Sequence, residues 1–295
     1  MVFPTKLLRW FRANGRHLPW RHTRDPYRIL VSEIMLQQTQ VSRVLGFYDR
    51  WLRVFPNWTT LARAGNADVI RAWSGLGYNR RALTLRDIAK SVVSSGEPTT
   101  EAGWLALKGI GPYTAAAISA FAQQRRTLPI DTNIRRVLSR YFLGIKFPGL
   151  SVDSRLQKRT QKILPRTGKF YDVPQAVFDL AAMVCTKNPE CASCPLRKDC
   201  LSADAFLSGK VRAPKRSIKK ANESHHRNKP HPDRIYRGRI LKFVHDHGAS
   251  TIETIAPIVD AGYDEEKDKE WIEKMLGRME KDGLVRRKGT QIQLA

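Results

Sequence analysis

The chain has 295 residues, 42% of them hydrophobic, enough for a globular core and, by length, two or three domains. Lysine and arginine number 52 against 27 acidic residues, a formal net charge of +25. This charge points to a polyanionic partner, nucleic acid first, with ribosomal or membrane-surface binding as the plainer alternatives. No apolar run reaches the roughly 18 residues of a membrane span. The opening MVFPTKLLRWFRANGR reads as an amphipathic helix without the apolar core of a signal peptide, so the expectation is a cytoplasmic, membrane-independent monomer.

Helical periodicity runs through residues 1–205, broken by short Gly, Pro and Asn punctuation at 21–27, 55–58, 74–79, 94–100, 108–112 and 125–131. This predicts an all-α domain of many short helices. The stretch VSEIMLQQTQ (31–40) reads as a helix with no clean polar face, and such helices are buried. Glu33 shares its side with Ile29, Leu30 and Leu36. Its ordinary explanation is a partnered structural carboxylate; its chemical one is an acid that desolvation keeps protonated. LALKGIGPYTAAAISAF (105–121) reads as helix, tight turn, helix. Gly109 and Gly111 free the backbone, Pro112 suits the first turn of a helix, and amides exposed there can hold a phosphate. An ordinary helical turn fits equally well. In PIDTNIRRVLSR (129–140), Asp131 is a natural N-cap, and at a helix N-terminus it is placed to remain ionised.

All four cysteines, Cys185, Cys191, Cys194 and Cys200, fall within CTKNPECASCPLRKDC. That spacing reads as a metal centre, zinc or an iron–sulfur cluster, with a mild preference for the cluster. Residues 209–233 are basic and poor in large apolar residues, a linker suited to touching DNA backbone. From residue 234, helices are expected through RGRILKFVHDHG, TIETIAPIV and EWIEKMLGRMEKDG, and a hairpin through LVRRKGTQIQLA. Three helices and a hairpin resemble a winged helix-turn-helix (α+β). Such a module serves DNA binding or protein docking, and the basic VRRKG favours DNA.

The ordered motifs WR…DPYRILVSEIMLQQTQV, GLGYNRRA, LKGIGPYTAAAI and IDTNIRRVLSR, followed by the four-cysteine loop, resemble the helix-hairpin-helix DNA glycosylases with a Gly/Pro…Asp loop, and among them the MutY-type adenine glycosylases. The likeness covers about residues 1–205, within a catalytic domain of residues 1–208. It implies two all-α lobes, double-stranded DNA carrying a mispaired or damaged base as partner, and a flipped nucleotide. By matching position, Glu33 resembles the acid that protonates adenine, Asp131 the carboxylate that stabilises the sugar cation, and Tyr113 a tyrosine beside it. Trp20, Arg21 and Leu36 resemble adenine-pocket residues. Gln38, with Gln37 beside it, and Tyr78 resemble groups that enter the duplex. Lys108, Gly109 and Gly111 form the phosphate-binding turn, Lys187 is a further DNA contact, and Cys185, Cys191, Cys194 and Cys200 resemble [4Fe–4S] ligands.

The chemistry supports that pairing independently: breaking an N-glycosidic bond wants one protonated and one ionised carboxyl. Strand-cleaving relatives keep a lysine where this chain has Tyr113, and a tyrosine cannot form a Schiff base; base removal without backbone cleavage is therefore expected. The pattern departs from the family in four places. The first cysteine spacer is five residues rather than six. Thr132 stands where Gly is usual, and Asn79 where a second Tyr is common. The C-terminal pattern is a winged helix rather than a Nudix-like domain. A mismatch glycosylase acting on T or U opposite G is the alternative reading, and a non-catalytic DNA-binding protein a weaker one.

Overall fold

The structure, a computed structural model, describes residues 2–214, 225–226 and 229–295. Among them are sixteen α-helices and one two-stranded sheet. The helices are α1 (Val2–Asn14), α2 (Pro26–Leu36), α3 (Val41–Val54), α4 (Trp58–Arg63), α5 (Asn66–Trp73), α6 (Arg80–Ser95), α7 (Glu101–Leu105), α8 (Pro112–Phe121), α9 (Thr132–Leu143), α10 (Asp153–Gln157), α11 (Thr160–Ile163), α12 (Asp172–Met183), α13 (Ala203–Leu207), α14 (Asp233–His247), α15 (Ile252–Val259) and α16 (Glu265–Lys281). The strands are β1 (Val285–Lys288) and β2 (Gln291–Leu294). As the periodicity predicts, the described residues up to 208 hold no strand.

The chain divides into two compact units, Met1–Leu30 with Pro98–Arg216 and Val31–Glu97 with Ser217–Ala295. In the first, α1 and α9 pack on α12. Phe3 and Leu7 meet Ile134, Val137, Leu138 and Tyr141 and, from α12, Val173, Ala176, Val177 and Leu180, all buried. The period of 3–4 within each set puts one apolar stripe of each helix into this core. Helix α8 is buried from Thr114 to Ala120, and its four alanines let neighbouring elements approach closely.

In the second unit α6 packs against α4 and α5. The fully buried indoles of Trp51 and Trp73 meet edge-on at 5.2 Å, a geometry worth about 0.5–1.5 kcal/mol beyond burial. The C-terminal elements of this unit follow the expected order. Helices α14, α15 and α16 enclose Tyr236, Ile240, Ile255, Ile272, Met275 and Leu276, and the hairpin pairs Val285 with Leu294 and Lys288 with Gln291. The Asn66 side-chain amide donates to the Gly283 carbonyl at 2.9 Å, and Asp282 pairs with Arg80 at 3.3 Å and Arg237 at 2.5 Å. The Asn66 and Arg80 contacts fasten the C-terminal elements to α5 and α6, and Arg237 ties α14 to the same turn.

Two readings of the sequence change. The helix expected through residue 40 ends at Leu36, because Gln38 sits in the left-handed region at φ 55°, which stops helical hydrogen bonding. Of the expected linker, residues 215–224 and 227–228 lie outside the described residues. Lys229, by contrast, is held between Asp260 at 2.5 Å and Asp268 at 2.6 Å, and His226 stacks on Trp271 at 4.8 Å.

Candidate active site and cysteine centre

Asp131 caps α9: its carboxylate accepts from the amides of Asn133 at 2.8 Å and Ile134 at 2.7 Å, and from the Asn133 side chain at 2.7 Å. Burial pushes the Asp131 carboxyl upward, and this outweighs those hydrogen bonds and the nearby Arg136 guanidinium, which pull it down. The structure therefore adds a desolvation cost to the helix-terminus argument that sequence alone supplies. Arg136 donates to Asn133 at 3.2 Å, to the Ala181 carbonyl at 2.9 Å and to the Cys185 carbonyl at 2.8 Å. A continuous polar chain thus runs from Asp131 to the first cysteine.

The turn between α7 and α8 has the expected geometry. Gly109 has φ 97°, a conformation that a side chain would strain. Gly111 caps α8 and Pro112 is its first residue. Lys108, Gly109 and Gly111 are exposed. Half-buried Tyr113 starts the same helix and meets the Phe178 ring edge-on at 6.5 Å. Trp20 is buried.

Arg21 is engaged differently from a free pocket-lining side chain. Its two terminal nitrogens each donate at 2.8 Å to the fully buried Asp179 carboxylate. Arg16 adds a backbone bond at 2.8 Å and a side-chain bond at 2.7 Å to the same carboxylate. Burial alone would raise the Asp179 carboxyl, but these donors hold it below the usual carboxylate range.

In the second unit, α2 carries Glu33, 8% exposed, between the buried Ser32, Ile34 and Met35. Leu36 is half-buried, and Gln37 and Gln38 are exposed in the turn beyond it. Tyr78 is 55% exposed and also left-handed at φ 51°. Both turns converge on Arg81. Its guanidinium donates to the carbonyls of Ile34 at 2.9 Å, Met35 at 3.1 Å and Gly77 at 2.9 Å, to the Thr39 hydroxyl at 3.2 Å, and to the Gln37 carbonyl. It also lies 5.2 Å from the Tyr78 ring centre. Arg81 lay within the quoted GLGYNRRA without an assigned role. Its partners are up to 47 residues away, so no local pattern marks it.

The four cysteines line one cavity floored by Val137, Tyr141, Leu180 and Leu196. Burial raises Cys191 and Cys200 and pushes Cys194 up to about 11, so as bare thiols these would stay neutral near pH 7. Opposing this, backbone amides hydrogen-bond the sulfurs: that of Leu196 to Cys194, those of Ser202 and Ala203 to Cys200. Arg140, 2% exposed, donates to the Cys185 sulfur at 3.4 Å. It also binds the carbonyls of Thr186 at 2.6 Å and of exposed Lys187 at 3.0 Å. Four thiols, aimed amides and a buried cation suit an anionic thiolate-bound group. Among the described residues, no set of three or more His, Cys, Asp or Glu is arranged to hold one metal ion.

A model of the HhH-GPD superfamily of base excision DNA repair proteins matches residues 31–165, a span containing Glu33, Tyr113 and Asp131. Over 215 residues the chain is 38% identical to the adenine DNA glycosylase of Mycolicibacterium smegmatis, covering 71% of this chain and 73% of that one. Over 200 residues it is 39% identical to the adenine DNA glycosylase of Mycobacterium tuberculosis, covering 66% of each; the chain thus spans about 66% of that relative's length. Among solved structures, a thermostable thymine-DNA glycosylase aligns with a TM-score of 0.64 at 29% identity, covering 69% of this chain and 96% of that one.

Proposed function

The chain belongs to the HhH-GPD superfamily of base excision DNA repair proteins, on its MutY-type adenine glycosylase branch, and from that premise we propose that it is a monofunctional DNA glycosylase removing adenine mispaired with 8-oxoguanine or guanine. The observation that carries the reading is the pair of carboxyls in contrasting settings. Glu33 is buried on an almost wholly apolar helix, whereas Asp131 is held by two amides and an asparagine at a helix N-terminus. In the proposed reaction Glu33 gives its proton to N7 of the flipped adenine. The C1′–N9 electron pair then leaves with the base. Asp131, ionised, stabilises the cationic sugar, and water adds at C1′, losing a proton that restores the Glu33 carboxyl. General acid catalysis supplies about 10²–10⁴-fold and an aimed charge about 10²–10³-fold. Tyr113 offers no amine for a Schiff base, so the backbone stays intact.

On this reading Trp20 and Leu36 shape the base pocket, Arg21 fixes the turn beside it, and Gln37, Gln38 and Tyr78 face the duplex. The turn at Lys108, Gly109 and Gly111 receives a phosphate on its amides, and Lys187 adds a backbone contact. Cys185, Cys191, Cys194 and Cys200 would hold a [4Fe–4S] cluster. All four thiols line one cavity, and the preference for a cluster over a single zinc ion rests on their spacing along the chain. When bound, the cluster supplies a rigid cross-link and a redox-active centre. Helices α14–α16 with the hairpin are taken as a winged helix.

A second reading has its own support. The 29% identity to a thymine-DNA glycosylase fits removal of T or U opposite G. Labelled duplexes bearing A:8-oxoG, A:G, A:T, T:G and U:G, incubated with the protein and split with and without hot alkali, separate the two. Alkali-dependent cleavage at A is expected; cleavage only at T or U overturns the adenine assignment.

A further inference from the structure

In the second unit the turn after α2 and the Gly75–Asn79 loop face α14 across a cleft of about 800 Å3. Among the described residues its cations are Arg43, Arg234 and Lys242, and no Asp or Glu lines it. Between the cations stand exposed Tyr78 and the amide side chains of Gln38 and Asn79. We infer that this cleft is a path for a DNA strand and that α14 is the DNA-facing helix of the C-terminal elements, a deepening that rests on the glycosylase reading above.

Three observations carry it. Arg234, Gly238 and Lys242 recur every fourth residue, one face of α14, and all three line the cleft. Gly238 is mid-helix, where glycine is a poor helix former, yet a Cβ there would meet nothing within 4 Å. Packing does not require the glycine; a backbone gap between two cations is what it provides. The other candidate surfaces are also less suited to phosphate. Helix α14 carries Arg234, Arg237, Arg239 and Lys242 against Asp233 and Asp246, and although Arg237 is engaged by Asp282, Arg234 and Lys242 line the cleft. Helix α16 has six acidic residues against five basic ones. On the hairpin, which sequence alone marks as the basic contact, Arg287 is taken up by Glu273 at 2.6 Å and Glu280 at 3.4 Å.

The opposite wall is preset by Arg81, and Arg43 binds the Gly75 carbonyl. A strand laid here finds cations for phosphate, an aromatic face for stacking and amides for base edges. The ion pair between Lys242 and Asp246 is solvent-screened and gives way to phosphate at little cost.

The test compares full-length protein with an Arg234→Glu/Lys242→Glu double variant, with Gly238→Leu, and with a Lys269→Glu/Lys274→Glu control on α16. Affinity for an A:8-oxoG duplex is followed by fluorescence anisotropy between roughly 0.05 and 0.2 M salt, alongside circular-dichroism melts. The double variant should bind roughly tenfold more weakly, with a log affinity–log salt slope shallower by about 1.8, at about 0.9 per phosphate contact. Gly238→Leu should melt no lower than the unaltered protein yet bind less tightly, and the control should match it. Unchanged affinity in the double variant or in Gly238→Leu overturns the cleft as a strand path. If the unaltered protein neither binds nor excises, the glycosylase reading itself fails.

Discussion

Replacing Asp179 by alanine should be among the most damaging single changes in the first unit. The carboxylate is fully buried and receives four N–H donors at 2.7–2.8 Å, two from Arg16 and two from Arg21. Arg21 is itself only 10% exposed, so truncation strands a nearly buried guanidinium. Breaking such a pair from one side costs about 3–5 kcal/mol. At about 2–4 °C per kcal/mol for domains of this size, the melting midpoint at pH 7 should drop by about 6–20 °C. Because the Asp179 carboxyl is held below 3.8 in the fold, its contribution is present above that value and fades as pH falls through the folded one. The gap between native and Asp179→Ala midpoints should therefore narrow in acid. Scanning calorimetry at pH 7 and pH 3 measures both. An Arg21→Met/Asp179→Leu double variant should recover much of the loss, since apolar replacement of a whole buried pair is often neutral. An Asp179→Ala midpoint within about 2 °C of native at pH 7 would refute the account of Arg21 as an engaged structural cation.

Asp131→Asn should keep the α9 cap, because asparagine caps as well as aspartate, while slowing excision by about 10²–10³-fold with duplex binding retained. Burial lifts the Asp131 carboxyl above its ordinary 3.8 and the ionised form is the useful one. The acid-side fall in single-turnover rate should therefore lie at higher pH than an ordinary aspartate would place it and vanish in the Asn variant. Purified protein should carry about four iron and four acid-labile sulfide per chain; Cys194→Ser should lose both, and a zinc content of one with no sulfide would reverse the cofactor assignment. Arg81→Lys should cost at least about 2 kcal/mol in urea unfolding, because one ammonium cannot replace a fork whose charged hydrogen bonds are worth about 1.5–3 kcal/mol each.

What was legible in the sequence was what short-range chemistry dictates. Pro112 after a glycine turn, Asp131 before Thr132–Leu143 and the glycine-turned hairpin at residues 285–294 each carry a local reason for the element they begin or close, and each appears. The end of α2 carried none: Gln38 reaches a positive φ without being glycine, in a turn held by an arginine more than forty residues on. Asp179 and Arg21 meet across 158 residues, so the anchoring of Arg21 was invisible while its motif was not. The C-terminal helices were read in order, whereas the pairing of Arg287 in the basic hairpin with Glu273 and Glu280, seven to fourteen residues back on α16, was not legible in the local pattern.

The most direct test of the central claim is single-turnover release of adenine from an A:8-oxoG duplex by native protein and by Glu33→Gln. The account predicts adenine release by native protein, alkali-dependent strand breakage, and loss of release by at least about 10²-fold in Glu33→Gln with duplex affinity unchanged. Excision at the native rate by Glu33→Gln, or no adenine release by native protein, would contradict it.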